Sequence, residues 1–410
     1  MNNKRYKHLR QYLLFMNYYI LPKNKINPNI NLLFTEKSLL IPYNSKSINY
    51  FLTNINNQVS NMIQNQNKDL NENSVEYSIN LISKVVNTYE FIFYNVPGYA
   101  LSVSKVKPDS NIFFELLELF HVCNINENFK KNKMINLHVS PNANSSIYLL
   151  SILREDYNDI NLNENINILY DKFIKNQNNK SQFQIKYDFL YFECNKTDYI
   201  DINNYTNYMI FLFYFIIKYQ NNEGISIIKI NNLIHKSIID ILYLLTNIFE
   251  KVMIIKPSVT NIISGERFIV CKKFMNYNSN LLSKVNLEEI LYKILLNIND
   301  YSEKNLSIKS IIDNEISYLF MNKIEESNVV IAQQQLEALD QIINIVKNKN
   351  KDDKIEILKR NHIQKCIQWC DKYKIPHNKF MEKLNIFLNN NITIKNSEKH
   401  EVIDCEMDYE

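Results

Sequence analysis

"EGISIIKINNLIHKSIIDILYLLTNIFEKVMIIKPSVTNIISGERFIVCKKF", residues 223–274, is the stretch on which the fold turns. Three short runs rich in Ile and Val, at 225–230, 251–257 and 267–274, surround one longer apolar segment at 232–251. The short runs have strand length and β-branched content, and the long one has helix length. Strand and helix in alternation predict a mostly parallel sheet with helices on its faces. Two charged placements ask for a reason. Lys229 ends the first run, on the same face as Ile225 and Ile227. Glu266 and Arg267 stand where the last run begins, after a loop closed by Gly265.

Upstream, the same rhythm continues. "INLHVS" (135–140) and "YDFLYFEC" (187–194) read as strands, and "NSSIYLLSILRE" (144–155) and "YTNYMIFLFYFIIKYQ" (205–220) as helices. The expected organisation is a polar N-terminal accessory region at 1–85, an α/β domain at 86–280, a segment helical throughout at 281–395, and an acidic tail at 396–410. Within the first region, "SINYFLTNINNQVSNMIQ" (47–64) has the periodicity of an amphipathic helix, and "NQNKDLNENS" (65–74) reads as a linker.

Composition narrows the function classes. The 410 residues suffice for two or three domains with a sizeable core. A formal net charge of +4 permits a nucleic-acid partner without arguing for one. With only 3 Gly in the chain, Gly-rich phosphate loops are nearly excluded. The six cysteines are scattered and most sit in apolar segments, as reduced intracellular thiols do. The longest apolar run, 208–217, is about half of the ~20 residues a membrane span needs, so it predicts a buried helix. The N-terminus has neither a clean apolar core nor a small-residue cleavage site. These features predict a cytoplasmic protein with no membrane partner.

In an open parallel sheet, ligands bind beyond the carboxyl ends of the strands. That selects "SPNANSS" (140–146), Glu193, Lys229 and Glu266. Each also has a plainer reading. Lys229 fits a solvated edge residue, and Glu266–Arg267 a surface pair worth under about 1 kcal/mol. Glu193 fits a buried acid satisfied by a helix N-terminus. Elsewhere, His362, Cys366 and Cys370 recur every four residues, with His377 beyond. Three such positions span about 12 Å along a helix, too far for one ion. They read as a packing face beside Trp369, and no metal site is expected. Leu336, Leu339, Ile343 and Val346 suit helix packing, within the chain or against a protein partner. "NENFKKNK" (126–133) is a small basic loop of the kind that touches phosphate.

The order of these groups adds something that none carries alone. Residues 223–274, the segment "NTYEFIFYNVPGYALSVSKVKPDSNIFFELLEL" (87–119) and "IQKCIQWCDKYKIP" (363–376) together resemble the FtsJ-type RNA 2'-O-methyltransferases. The likeness is to the branch found in large nucleocytoplasmic DNA viruses. It implies a class I (Rossmann-like) methyltransferase sandwich, S-adenosylmethionine as cofactor, and a catalytic set in the order Lys, Asp, Lys, Glu. On that resemblance Lys229 takes the place of the base and Glu266 that of the Glu. Glu193 stands at the Asp position and Glu115 at the first Lys, a reversal of charge. A carboxylate there would hold the pKa of Lys229 up by attraction. Lys105 and Lys107 are the lysines that could reach in instead. The resemblance also implies a cofactor loop over Asn136, Ser140, Pro141, Asn142 and Ala143. Pro141 is kept, Asn136 replaces an Asp, and Asn142 and Ala143 replace two glycines. The expectation is therefore a catalytically impaired relative, retained as an RNA- or protein-binding or assembly subunit in a host cytoplasm or virion. Its competitor is an active mRNA cap 2'-O-methyltransferase with a divergent loop.

Overall fold

The computed structural model describes residues 17–23, 29–36, 41–68, 79–129, 131–175, 185–194, 201–231, 233–275, 284–297, 304–348 and 351–380. Residues 1–378 form one compact unit and 379–410 another, of which only Lys379 and Phe380 are described. The expected acidic tail, Cys405 and most of the 65–74 linker lie outside the described residues.

Seven strands build the main sheet: β1 (Asn17–Ile20), β3 (Ile135–Val139), β4 (Ile160–Glu164), β5 (Tyr187–Glu193), β6 (Gln220–Ile230), β7 (Phe249–Lys256) and β8 (Arg267–Phe274). Their spatial order is β1-β7-β8-β6-β5-β3-β4. β4, β3, β5 and β6 are parallel neighbours. β8 runs against both β6 and β7, so β7 points the same way as the parallel set, and β1 closes the edge antiparallel to β7. This is the α/β class I methyltransferase type of sheet that the sequence predicts, with one reversed strand wedged between two forward ones.

The sheet is covered on both faces. One face carries α6 (Ile202–Tyr219) and α7 (Lys236–Ile248). Here Leu137, Leu190, Phe192, Ile228, Ile254 and Ile269 share a core with Ile210, Phe213, Ile239 and Leu242. The apolar run of α6 is buried in that core from Met209 to Ile217, with Tyr208 half-buried against it. Among the described residues, no helix is long and apolar enough to cross a membrane. The opposite face carries α3 (Ile112–Val122) and α4 (Ala143–Leu153), which pack on each other. Phe120 of α3 meets Phe189 of β5 edge-on at 5.8 Å. Lys229 lies on this second face, outside the core that buries Ile228 and Ile230.

The flanking segments fold onto the same unit. The amphipathic helix expected at 47–64 is α1 (Lys46–Lys68), which packs along α9 (Tyr318–Lys347). The other helices are α2 (Ile79–Val86), α5 (Ile166–Lys175), α8 (Lys284–Leu296) and α10 (Lys351–Lys372). The segment after 281 is not helical throughout. Residues Leu306–Ile312 form β9, paired antiparallel with β2 (Ile30–Glu36) in a separate two-stranded sheet. The buried Asp240 of α7 explains the docking of this pair, because its Oδ2 accepts from Ile311 N at 2.8 Å and Ser310 Oγ at 2.8 Å.

Candidate functional site

Register assembles the site. β5 and β6 align Glu193 beside Lys229, and β6 and β8 align Lys229 beside Phe268, two residues after Glu266. α3 brings Glu115 in its first turn. The four side chains meet at one point. Lys229 Nζ lies 3.1 Å from Glu115 Oε2, 3.2 Å from Glu266 Oε2 and 3.5 Å from Glu193 Oε1. Lys229 and Glu193 are each 7% exposed and Glu115 is 3% exposed, while Glu266 is the most open of the four. The Phe268 ring lies beneath the ammonium, 5.6 Å from its centroid.

The electrostatics follow from that crowding. Burial disfavours the charged form of Lys229, but Glu115, then Glu193 and Glu266, outweigh it and hold the ammonium above its usual range. Burial raises the pKa of Glu115, Lys229 pulls it back, and Glu266 and Glu193 push it up again. The net direction for Glu115 is upward. Three carboxyl groups face one ammonium within 3.5 Å, and the buried Lys256 lies close enough to interact with Glu266 and Glu115 as well. Lys105 and Lys107 are both exposed, and neither joins a carboxylate of the cluster among the described ion pairs. Lys107 Nζ instead donates to Ser102 Oγ at 2.5 Å.

The loop after β3 folds toward Glu193. Ser140 Oγ donates to Glu193 Oε2 at 2.6 Å, Tyr191 OH donates to the same oxygen at 3.2 Å, and Asn142 Nδ2 reaches it at 3.3 Å. Asn142 N donates back to Ser140 Oγ at 2.9 Å. Asn142 has φ −109°, a conformation that any residue adopts, and Ala143 is buried as the first residue of α4. Asn136 is fully buried, and its Nδ2 donates to Asn161 Oδ1 at 2.9 Å. Glycines in such a loop let the backbone approach a ligand. Here two side chains stand in their place, and the polar groups of Ser140 and Asn142 are spent on Glu193. As folded, these residues do not fit the S-adenosylmethionine cradle that the resemblance implies.

The charged pair that opened the last strand divides. Glu266 joins Lys229, whereas Arg267 is buried and turns away. Arg267 donates to Asn328 Oδ1 at 2.8 Å and Gly265 O at 3.1 Å, so it ties β8 to α9 and is not a surface ion pair. Gly265 is required by close approach, since a Cβ there would stand 2.9 Å from Asn231 O.

Two residues near the site were not singled out from the sequence. Glu118, one turn after Glu115 on α3, is buried and accepts from Ser258 N at 3.0 Å, Ser258 Oγ at 2.8 Å and Trp369 Nε1 at 3.2 Å. Its i, i+3 spacing from Glu115 was the available signal. Lys256 ends β7 and donates to the loop that carries Glu266. A Lys closing an apolar run directly before Pro257 was its signal. The His362–Cys370 face packs inward: His362 Nδ1 lies 2.9 Å from Val85 O, and Cys366 Sγ donates to Thr88 O at 3.5 Å.

Comparison with known proteins finds only distant structural likenesses. No protein-family model matches the chain, and no curated protein matches it. Among solved structures, a ribosomal RNA methyltransferase from Plasmodium falciparum is similar at 19% identity, covering 41% of this chain and 99% of that one, with a TM-score of 0.31. A spermidine synthase from Corynebacterium glutamicum is similar at 10% identity, covering 53% of this chain and 88% of that one, with a TM-score of 0.29. Likenesses this distant carry no function, and the fold class rests on the strand order itself.

Proposed function

We propose that this chain is an FtsJ-like RNA 2'-O-methyltransferase-fold protein of the viral branch named above, impaired in methyl transfer and serving as an RNA- or protein-binding or assembly subunit. One observation carries the reading: the Lys229 ammonium is surrounded by three carboxyl groups within 3.5 Å. A ribose hydroxyl becomes a nucleophile only when a base takes its proton, and a base works best with a pKa near the working pH. A second lysine at position 115 would push Lys229 toward that range by repulsion. Glu115 pulls it the other way. The loop at 140–143 supports the same reading, because its polar groups are turned onto Glu193.

Calorimetry and thermal unfolding with S-adenosylmethionine test this. The expected result is no heat of binding and no rise in Tm. A ligand present at a hundred times its Kd stabilises a fold by about 2.7 kcal/mol, so binding would be plain to see. A clear rise in Tm, together with methyl transfer to capped RNA that Lys229→Ala abolishes, would replace this reading with that of an active cap 2'-O-methyltransferase.

A further inference from the structure

Lys256 is buried beside the cluster, yet its ammonium goes to backbone. It is 4% exposed, at the end of β7. Its Nζ donates to three carbonyls of a single loop: Asn261 O at 3.1 Å, Glu266 O at 3.3 Å, and Ser264 O. No carboxylate pairs with it among the described ion pairs. An ammonium offers three donors and no acceptor, so three carbonyls match it one for one.

That loop, 257–266, ends in Glu266, one of the three acids around Lys229. Its earlier residues are held by other partners. Glu118 takes Ser258, Asn87 Oδ1 accepts from Ile262 N at 3.3 Å, and Gln335 Nε2 donates to Ile263 O at 2.9 Å. At the last three residues, Arg267 holds the carbonyl of Gly265, and Lys256 holds those of Ser264 and Glu266.

We propose that Lys256 is a proton-gated positioning residue: its ammonium gathers the carbonyls of Asn261, Ser264 and Glu266 to one point and so sets the Glu266 carboxylate against Lys229. The neutral amine keeps two N–H donors and gains a lone pair. One of the three carbonyls then faces that lone pair, its contact opens, and the end of the loop loosens. The charged groups facing Lys256 are Arg267 from β8, Glu266 from the loop, Glu115 from α3 and Lys229 from β6. Burial, then Arg267, draws the amine down to about 7, while Glu266 and Glu115 resist and Lys229 adds to the fall. The three accepting carbonyls favour the ammonium, so the gate lies below the ordinary lysine range, at or above neutral pH. This inference does not depend on whether the site transfers methyl groups.

Hydrogen exchange on the full-length protein tests it, comparing pH 6 with pH 8.5 after correction for the intrinsic rates. Amides of residues 264–266 are expected to lose protection by tenfold or more at the higher pH, while those of 225–230 in β6 keep theirs. Lys256→Arg, which stays charged across the range, should hold the loop equally at both pH values. Lys256→Met should leave it weakly protected at both. Unchanged protection in the wild-type loop overturns the proposal, and so does a Lys256→Arg protein that loosens with pH as the wild type does. Should Lys256→Met fail to fold, the wild-type and Arg profiles still decide.

Discussion

Two regions of the candidate site contrast. In one, at β5, β6, α3 and the entry to β8, four ionisable side chains converge within hydrogen-bonding or ion-pairing distance. In the other, the loop after β3 holds Asn142 and Ala143 where the resemblance expects bare glycine. Physical chemistry explains the contrast without any appeal to catalysis. A buried charge is held in place by its partners, because removing one strands the rest in a poor solvent. A loop glycine has no such hold on its neighbours. Ala at the start of α4 is a better helix former than glycine, and Asn142 at the N-cap has a backbone conformation that needs no glycine. A buried charge cluster of this kind is held by the cost of stranding any one of its members, and is not by itself evidence of activity.

The largest expected effect tests the charged half. Lys229→Met leaves Glu115, Glu193 and Glu266 facing each other with no cation between them. The loss should be about 3–5 kcal/mol at pH 7.5, the range for breaking a buried ion pair from one side, read by urea denaturation. The loss should grow from pH 5 to pH 8 as the buried Glu115, without the pull of Lys229, is forced to ionise. A loss below about 1 kcal/mol would show that the cluster does not hold itself together, and the comparison would break.

Glu115→Gln should do less, and its pH dependence has a definite sign. Burial raises the pKa of Glu115 in the folded protein, against the pull of Lys229. The folded state then binds more protons than the unfolded chain above the usual carboxylate range. Wild-type stability falls as pH rises from that range through the folded value. Gln does not titrate, so the variant should gain on the wild type between pH 4 and pH 7. Its net cost at pH 7 should stay within about 1.5 kcal/mol, the scale of one hydrogen bond. Paired denaturation curves at the two pH values decide it, and a variant that loses ground as pH rises would reverse the sign argued for Glu115.

Much of the sheet was legible because its central strands are short, β-branched and bounded, as in "ISIIKI" and "RFIVCKKF". Strands with weaker patterns were not. β4, "INLNE", offers only two apolar residues, and β9, "LSIKSII", is short and sits among helical periodicities. The meeting of Glu115 with Lys229 was legible only through the family resemblance, since 114 positions separate them. The partners of Lys256 and Glu118 were not legible at all. Backbone carbonyls and amides leave no mark on a sequence, and Trp369 lies 251 positions from Glu118.

The smallest expected effect sharpens the other half of the comparison. Asn142→Gly with Ala143→Gly restores the residues that the resemblance expects. Asn142 makes no side-chain cap bond to α4, and its backbone is not in the left-handed region. Its replacement should cost a few tenths of a kcal/mol, and Ala143→Gly at most about 1 kcal/mol. The Asn142 bond to Glu193 is lost, but the shorter one from Ser140 stays. A nearly unchanged Tm would confirm that folding places little demand on this loop. The same protein then isolates cofactor binding from chemistry, because Lys229 remains among its three acids. If the loop side chains are what exclude S-adenosylmethionine, the double-glycine protein should gain a cofactor-dependent rise in Tm that the wild type lacks, and still transfer no methyl group. Methyl transfer by this variant would place the whole defect in the loop, and the reading of the Glu115 reversal as disabling would fall.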